Sequence, residues 1–252
     1  MTPDYKKVNE ELLDVYKDTL LKASLYPHSE TIKYDYQRFV FDKEKSMIEI
    51  NGDKNRDGNV TVIGIDTIGA LQRFKGELNC LLNMASAKRP GGGVSWGSKA
   101  QEEGLFRCSN LSFSISPEEY PLSHSEGLYT YNAVFLKDFH YNDINPVRSD
   151  VITIAAINLN KEQLPIAGYE NITENKIRMM IKLAARRSVD NLILGAWGSG
   201  VYKNDPTFIA GLFKKILIGE EYAKCFNNVV FAVINDENSV ANNYQIYKNI
   251  LV

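Results

Sequence analysis

Seven residues separate the glycine triplet Gly91-Gly92-Gly93 from Gln101-Glu102-Glu103. Consecutive glycines are costly in backbone entropy. They make sense where the chain needs positive φ or where a ligand must approach the backbone itself; a permissive surface loop is the plainer reading. Acids near a helix start complement the helix dipole, so Glu102 and Glu103 read most simply as a solvated first turn. A carboxylate enclosed at a cleft floor does more: its pKa rises, and it can hold a proton for a leaving group. Adjacent helical residues point about 100° apart. One acid is therefore expected to face the cleft while the other braces it or meets another part of the ligand.

A second glycine-rich stretch, Gly195 through Gly198, Ser199, Gly200, Val201 and Tyr202, leads into Asn204-Asp205-Pro206. Asp205 and Pro206 form an N-cap and N1 pair, and free N–H groups at a helix start bind phosphate. The stretch is not GxGxxG, and the chain has no Gly-Lys-Ser/Thr, so neither a dinucleotide fingerprint nor a P-loop is supported. Phosphate held without a P-loop lysine suggests a bound nucleotide diphosphate and not phosphoryl transfer. His28, His124 and His140 are scattered without ligand spacing, so no metal is expected. None of Cys80, Cys108 and Cys225 lies in either loop, which argues against a thiol nucleophile. Trp96, between the glycines and the acids, is read as a lid on the ligand or as a packing or surface residue.

The elements that must position these loops alternate. Helical spacing covers Tyr5 to Tyr26 and stops at Pro27, and a polar stretch with a weak strand at Met47–Ile50 follows. Strands are expected at Val60–Ile65, Asn79–Asn83, Tyr129–Phe139 (or a hairpin), Val151–Ile157, Asn191–Trp197 and Val229–Ile234. Helices are expected at Thr67–Phe74, Ser98–Asn110, Thr173–Ser188, Pro206–Ile218 and Val240–Leu251. Apolar strands alternating with helices predict one α/β domain over residues 1–252, a sheet between helices, with residues 1–45 an N-terminal helical appendage. Ligands in such a sheet sit beyond the strand C-termini, where both glycine loops fall.

The 252 residues carry 29 basic and 31 acidic side chains, a net charge of -2, which argues against strong non-specific nucleic-acid binding. The 44% hydrophobic content suits a packed domain. Apolar runs reach about eight residues against the roughly 20 of a membrane helix, so no membrane association is expected. The N-terminus lacks a signal-peptide core, and three cysteines make no even framework. A cytoplasmic protein is expected.

With both loops in view, the chain resembles the poly(ADP-ribose) glycohydrolases, especially their compact bacterial type. The resemblance rests on Gly91-Gly92-Gly93 and Gln101-Glu102-Glu103 at this spacing, on Leu82-Asn83-Met84-Ala85-Ser86-Ala87-Lys88-Arg89-Pro90, and on Gly198 to Pro206. It implies a macrodomain-like α/β fold with ADP-ribose in a cleft at the sheet crest. It also implies cleavage of the ribose–ribose O-glycosidic bond of poly(ADP-ribose), carried on modified proteins, with no cofactor. Breaking that bond needs a proton for the leaving oxygen and support for an oxocarbenium-like centre. Glu103 is then the general acid and base, and Glu102 holds the ribose hydroxyls. Asn83, Gly91, Gly92, Gly93, Gln101, Gly198, Ser199, Gly200, Val201 and Tyr202 bind ADP-ribose. The bacterial type generally works from chain ends because an N-terminal segment closes the cleft, and Met1 to His28 can take that place here.

Two positions depart from the family. Ser199 stands where cysteine is usual, and Tyr202 where phenylalanine is usual, so the Tyr202 hydroxyl needs a partner. The adenine pocket matches too loosely to transfer residues; Asp66 either accepts from the adenine amine or caps the next helix. Three rivals share the cleft: an ADP-ribose reader without turnover, a hydrolase of another ADP-ribosyl conjugate (mono-ADP-ribosyl protein, nucleic acid or small metabolite), and a generic nucleotide-phosphate binder.

Overall fold

The computed structural model describes residues 9–37, 55–160, 167–235 and 242–252. Among these residues, seven strands form one mixed sheet in the order β1-β4-β5-β3-β6-β7-β2. They are β1 (Thr31–Asp35), β2 (Asn59–Ile63), β3 (Asn79–Met84), β4 (Glu126–Lys137), β5 (Asp143–Ile154), β6 (Asn191–Leu194) and β7 (Asn228–Ala232). The five strands from β5 to β2 run parallel. β4 pairs antiparallel with β5, and β1 with β4. β3, central and parallel, is apolar in consecutive positions because both its faces are covered.

The helices are α1 (Glu10–Ala23), α2 (Thr67–Arg73), α3 (Gln101–Cys108), α4 (Leu111–Ser114), α5 (Tyr169–Arg186), α6 (Pro206–Lys214) and α7 (Asn243–Leu251). Side chains alternate across each strand, and the two faces feed separate cores. Cys80, Leu82, Leu192, Leu194 and Phe231 meet α5, α6 and α7 through Ile177, Phe213 and Tyr247. Leu81, Val151, Ile193 and Val230 meet α2, α3 and α4 through Leu71, Phe106 and Leu111. The result is the expected three-layer α/β/α arrangement.

Several local choices fix where helices begin. The Asp66 carboxylate accepts from Ile68 and Gly69 N–H at 2.8 and 3.0 Å, so it caps α2. Asp205 caps α6 by accepting from Thr207 N–H at 2.9 Å, with Pro206 in the first turn. The expected strand at Met47–Ile50 lies outside the described residues.

Some boundaries differ from those expected. Within the expected N-terminal appendage, Glu10–Ala23 is helical, but Thr31–Asp35 is the edge strand β1. β5 starts eight residues before Val151, because the polar stretch Asp143–Asp150 pairs with β4 as a hairpin arm. α3 starts at Gln101 and not at Ser98, since residues 94–100 make a short 3-10 turn and a left-handed Gly97 first. α1 itself is firmly seated. The Arg107 guanidinium, fully buried, donates to Leu12 O of α1 at 3.3 Å and to Ser98 O at 2.6 Å.

Candidate active site

β3 ends at Met84, and the chain then runs through Ser86 and Arg89 into the glycine triplet at the sheet crest. Gln101 ties the start of α3 to this strand. Its Oε1 accepts from Met84 N–H at 2.9 Å, and its Nε2 donates to Leu82 O at 2.7 Å and Thr67 Oγ1 at 3.2 Å. The amide expected to bind ligand is thus engaged as a clamp between α3, β3 and α2.

That clamp sets the two acids against the glycine loop. Glu102 Oε2 accepts from Ser86 N–H at 2.7 Å, and Oε1 from Gly91 N–H at 3.2 Å and Asn83 Nδ2 at 3.4 Å. Glu103 Oε1 accepts from Gly93 N–H at 2.8 Å, and Oε2 from Ala100 N–H at 3.0 Å. Both acids are buried, at 3% and 7% exposure. Although they leave the helix in different directions, they close on one glycine. Burial raises the Glu102 carboxyl from 4.5 to about 8 against the opposing Ser86 amide, and the Glu103 charge adds to the rise. Asn83 lies beneath the pair, also bonded to Thr153 Oγ1 at 3.3 Å, with its own Oδ1 buried and unpartnered.

The glycines are required by geometry. Gly91 and Gly92 have φ of 69° and 52°, a region that side chains enter at a cost.

The second loop faces the first. Asn204 staples it: Nδ2 donates to Ile157 O at 2.9 Å and Gly198 O at 3.0 Å, and Oδ1 accepts from the Tyr169 hydroxyl at 2.7 Å. Trp197 is buried beneath and donates from Nε1 to Ile154 O at 3.0 Å. Ser199 is fully buried while Val201 is exposed. The Tyr202 hydroxyl lies beside Ala87 and Ser86 of the first loop; burial first, then the Glu102 charge, pushes its pKa up. Tyr120, on the loop before β4, turns a buried, unpartnered hydroxyl towards the same region, near Glu102 and Tyr202. Leu122 N–H secures that loop by donating to Ala87 O at 2.8 Å.

The structure therefore gathers Asn83, the glycine triplet, Glu102, Glu103 and Tyr202 around one cleft, with Gly198 to Val201 on the facing loop. Tyr120 joins them unannounced by the sequence, while Ser86 and Asn204 lie in runs that carry the resemblance without their roles being legible there. Asp66 is committed to capping, and Trp96 is 53% exposed at the rim with no core role. His28 stacks on Phe113 and His140 packs edge-on to Phe139. Among the described residues, no cluster of His, Cys, Asp or Glu is placed to hold a metal, and no helix is long and apolar enough to cross a membrane.

Paired buried carboxylates under a backbone-lined crest, on a three-layer mixed sheet, define a hydrolase site of macrodomain-like fold. The chain matches the family described as microbial-type PARG, catalytic domain, over residues 6–139, and it belongs to that family of poly(ADP-ribose) glycohydrolases. Its fold is similar to poly(ADP-ribose) glycohydrolase from Thermomonospora curvata, with 23% identity, 96% of this chain and 100% of that chain covered, and a TM-score of 0.83. The same enzyme bound to the inhibitor ADP-HPD superposes at 22% identity over 96% and 99% of the two chains, with a TM-score of 0.79. The Deinococcus radiodurans enzyme in complex with ADP-ribose shares 26% identity over 88% of this chain and 94% of that chain, with a TM-score of 0.74. No curated protein matches the chain.

Proposed function

We propose that this domain releases ADP-ribose from poly(ADP-ribose) by cleaving the ribose–ribose bond with Glu103 as acid and base. The observation that carries the assignment is the closure of both glutamates on Gly92, which puts a proton-bearing pair against the backbone where a ribose must approach. Burial holds a proton on Glu102 at neutral pH, so the pair enters the reaction carrying one. As the bond from the anomeric carbon to the leaving oxygen breaks, that oxygen takes a proton from Glu103. The resulting carboxylate accepts a proton from water as water adds to the anomeric carbon. Glu102 holds the ribose hydroxyls, and the proton that water returns to Glu103 restores the pair to its starting state.

The Gly91–Gly93 backbone, whose own N–H groups are spent on Glu102, Arg89 and Glu103, lets the ribose come close, while the Gly198–Tyr202 loop holds the diphosphate from the other side. Among the described residues, the N–H groups of Gly200, Val201 and Tyr202 make no backbone hydrogen bond, which suits a diphosphate acceptor. Fixed diphosphate charge also stabilises a cationic sugar beside it. The polymer is read as carried on modified proteins, in a reducing cytoplasmic setting that the three free, buried cysteines support.

The test is chromatographic release of ADP-ribose from poly(ADP-ribose) by the wild type, Glu103→Gln and Glu102→Gln. Release by the wild type, its loss in Glu103→Gln and retained ADP-ribose binding support the assignment. Turnover retained in Glu103→Gln but lost in Glu102→Gln would exchange the two roles.

A further inference from the structure

The catalytic pair accounts for the terminal ribose but not for the rim beside it. Lys88, Arg89 and Lys99 are exposed around the glycine loop, and none is ion-paired among the described residues, although the whole chain carries a net charge of -2. The Arg89 guanidinium lies 4.6 Å over the Trp96 ring, and that ring is 53% exposed. A large aromatic left in water with a cation on its face is poorly explained by packing. It is the surface on which proteins stack nucleobases.

These side chains ride on the backbone that holds Glu103. Arg89 O accepts from Gly92 N–H, Trp96 N–H donates to Gly93 O at 2.9 Å, and Lys99 precedes the Ala100 N–H that binds Glu103 Oε2 at 3.0 Å. A general acid contacts the leaving oxygen, so the departing unit of the polymer lies on the Glu103 side of the cleft. That unit carries an adenine ring and a diphosphate: one flat π-face and two negative charges.

We propose that Trp96, Arg89, Lys88 and Lys99 form a subsite for the leaving-side ADP-ribose unit, with the base on Trp96 and the diphosphate on the three cations. This rests on the polymer-cleaving reading above. The subsite gives the enzyme affinity for a chain beyond its affinity for one unit, and that added affinity falls with salt.

Two measurements test it. In the Glu103→Gln background, a two-unit oligomer of ADP-ribose should bind about 5- to 50-fold more tightly than ADP-ribose by calorimetry. Trp96→Ala and Arg89→Gln should remove that advantage while leaving ADP-ribose affinity unchanged. In the otherwise wild-type protein the same substitutions should raise KM for poly(ADP-ribose) by a similar factor at constant kcat. Equal affinity for one and two units, or an advantage that survives both substitutions, overturns the subsite. Loss of ADP-ribose affinity alongside the oligomer's would also overturn it, by assigning the rim to the terminal unit. Failure of the wild type to cleave polymer would instead remove the reading beneath it, and the oligomer titration would still decide the rim.

Discussion

A Cβ on Gly92 would lie 2.6 Å from Glu103 Oε1, so any side chain placed there forces the carboxylate tip off its present position. The Glu102 Oε2 atom lies 2.9 Å from the same point. Position 92 is therefore where both carboxylates are set.

Replacing Gly92 by valine should displace both acids and close the backbone to ligand. ADP-ribose binding is expected to vanish by calorimetry. The milder Gly92→Ala should lower kcat about 100-fold, the scale on which a 1 Å misplacement acts. Circular dichroism would check that both variants fold; a folded Gly92→Val protein that binds ADP-ribose normally would refute the close-approach argument.

The Glu102 carboxyl, raised from 4.5 to about 8, has a signature in stability. Between those values the folded protein keeps a proton that the unfolded chain releases, so the folded state binds more protons there. Stability should accordingly fall as pH rises through that window and level off above about 8. Melting temperatures measured from pH 5 to 9 should show the decline in the wild type and a flatter curve in Glu102→Gln. Turnover should also drop above about pH 8 as the pair loses its proton.

Tyr202→Phe removes a half-buried hydroxyl that lies beside Ser86 and Ala87 of the facing loop. A polar contact of that kind between loops is worth about 1 kcal/mol. Steady-state kinetics should show KM for polymer rising roughly fivefold with kcat nearly constant. A fall in kcat with unchanged KM would place the hydroxyl in the chemical step.

Arg107→Met should destabilise the fold by about 2–4 kcal/mol, because Leu12 O and Ser98 O would lose a buried donor together. Denaturant unfolding would measure it. Ser98 N–H also donates to Gly93 O at 3.2 Å, so α1 is coupled to the Glu103 cradle through this arginine. An unaltered midpoint would show that the two carbonyls find other donors.

Much of the fold is legible because burial writes itself as hydrophobic runs. β3 and β6 are covered on both faces and stand out as continuous apolar segments. β1 does not, because an edge strand with Lys33 and Asp35 half in water shows no inward-facing period. The outer half of β5 is hidden for the same reason, since Asn145, Pro146 and Arg148 lie exposed on the hairpin arm. In the site, spacing identifies which acids matter but not how they sit. That Gln101 would spend its amide on β3, and that two diverging glutamates would meet on Gly92, depends on the loop's path through space. Tyr120 and Asn204 come from distant segments that only the sheet order brings together.

The pairing of β2 with β7 joins Asn59–Ile63 to Asn228–Ala232, and among the described residues β2 is the last strand at its side of the sheet. During synthesis Asn59–Ile63 leaves the ribosome well before Asn228–Ala232, the strand it pairs with. Such a long-range closure is slow and leaves an unpaired strand edge during synthesis. The rim strand nearest Asp66 thus cannot lock to β7 until that later strand is made, and conditions that slow translation or crowd nascent chains should affect the yield of this protein through that edge.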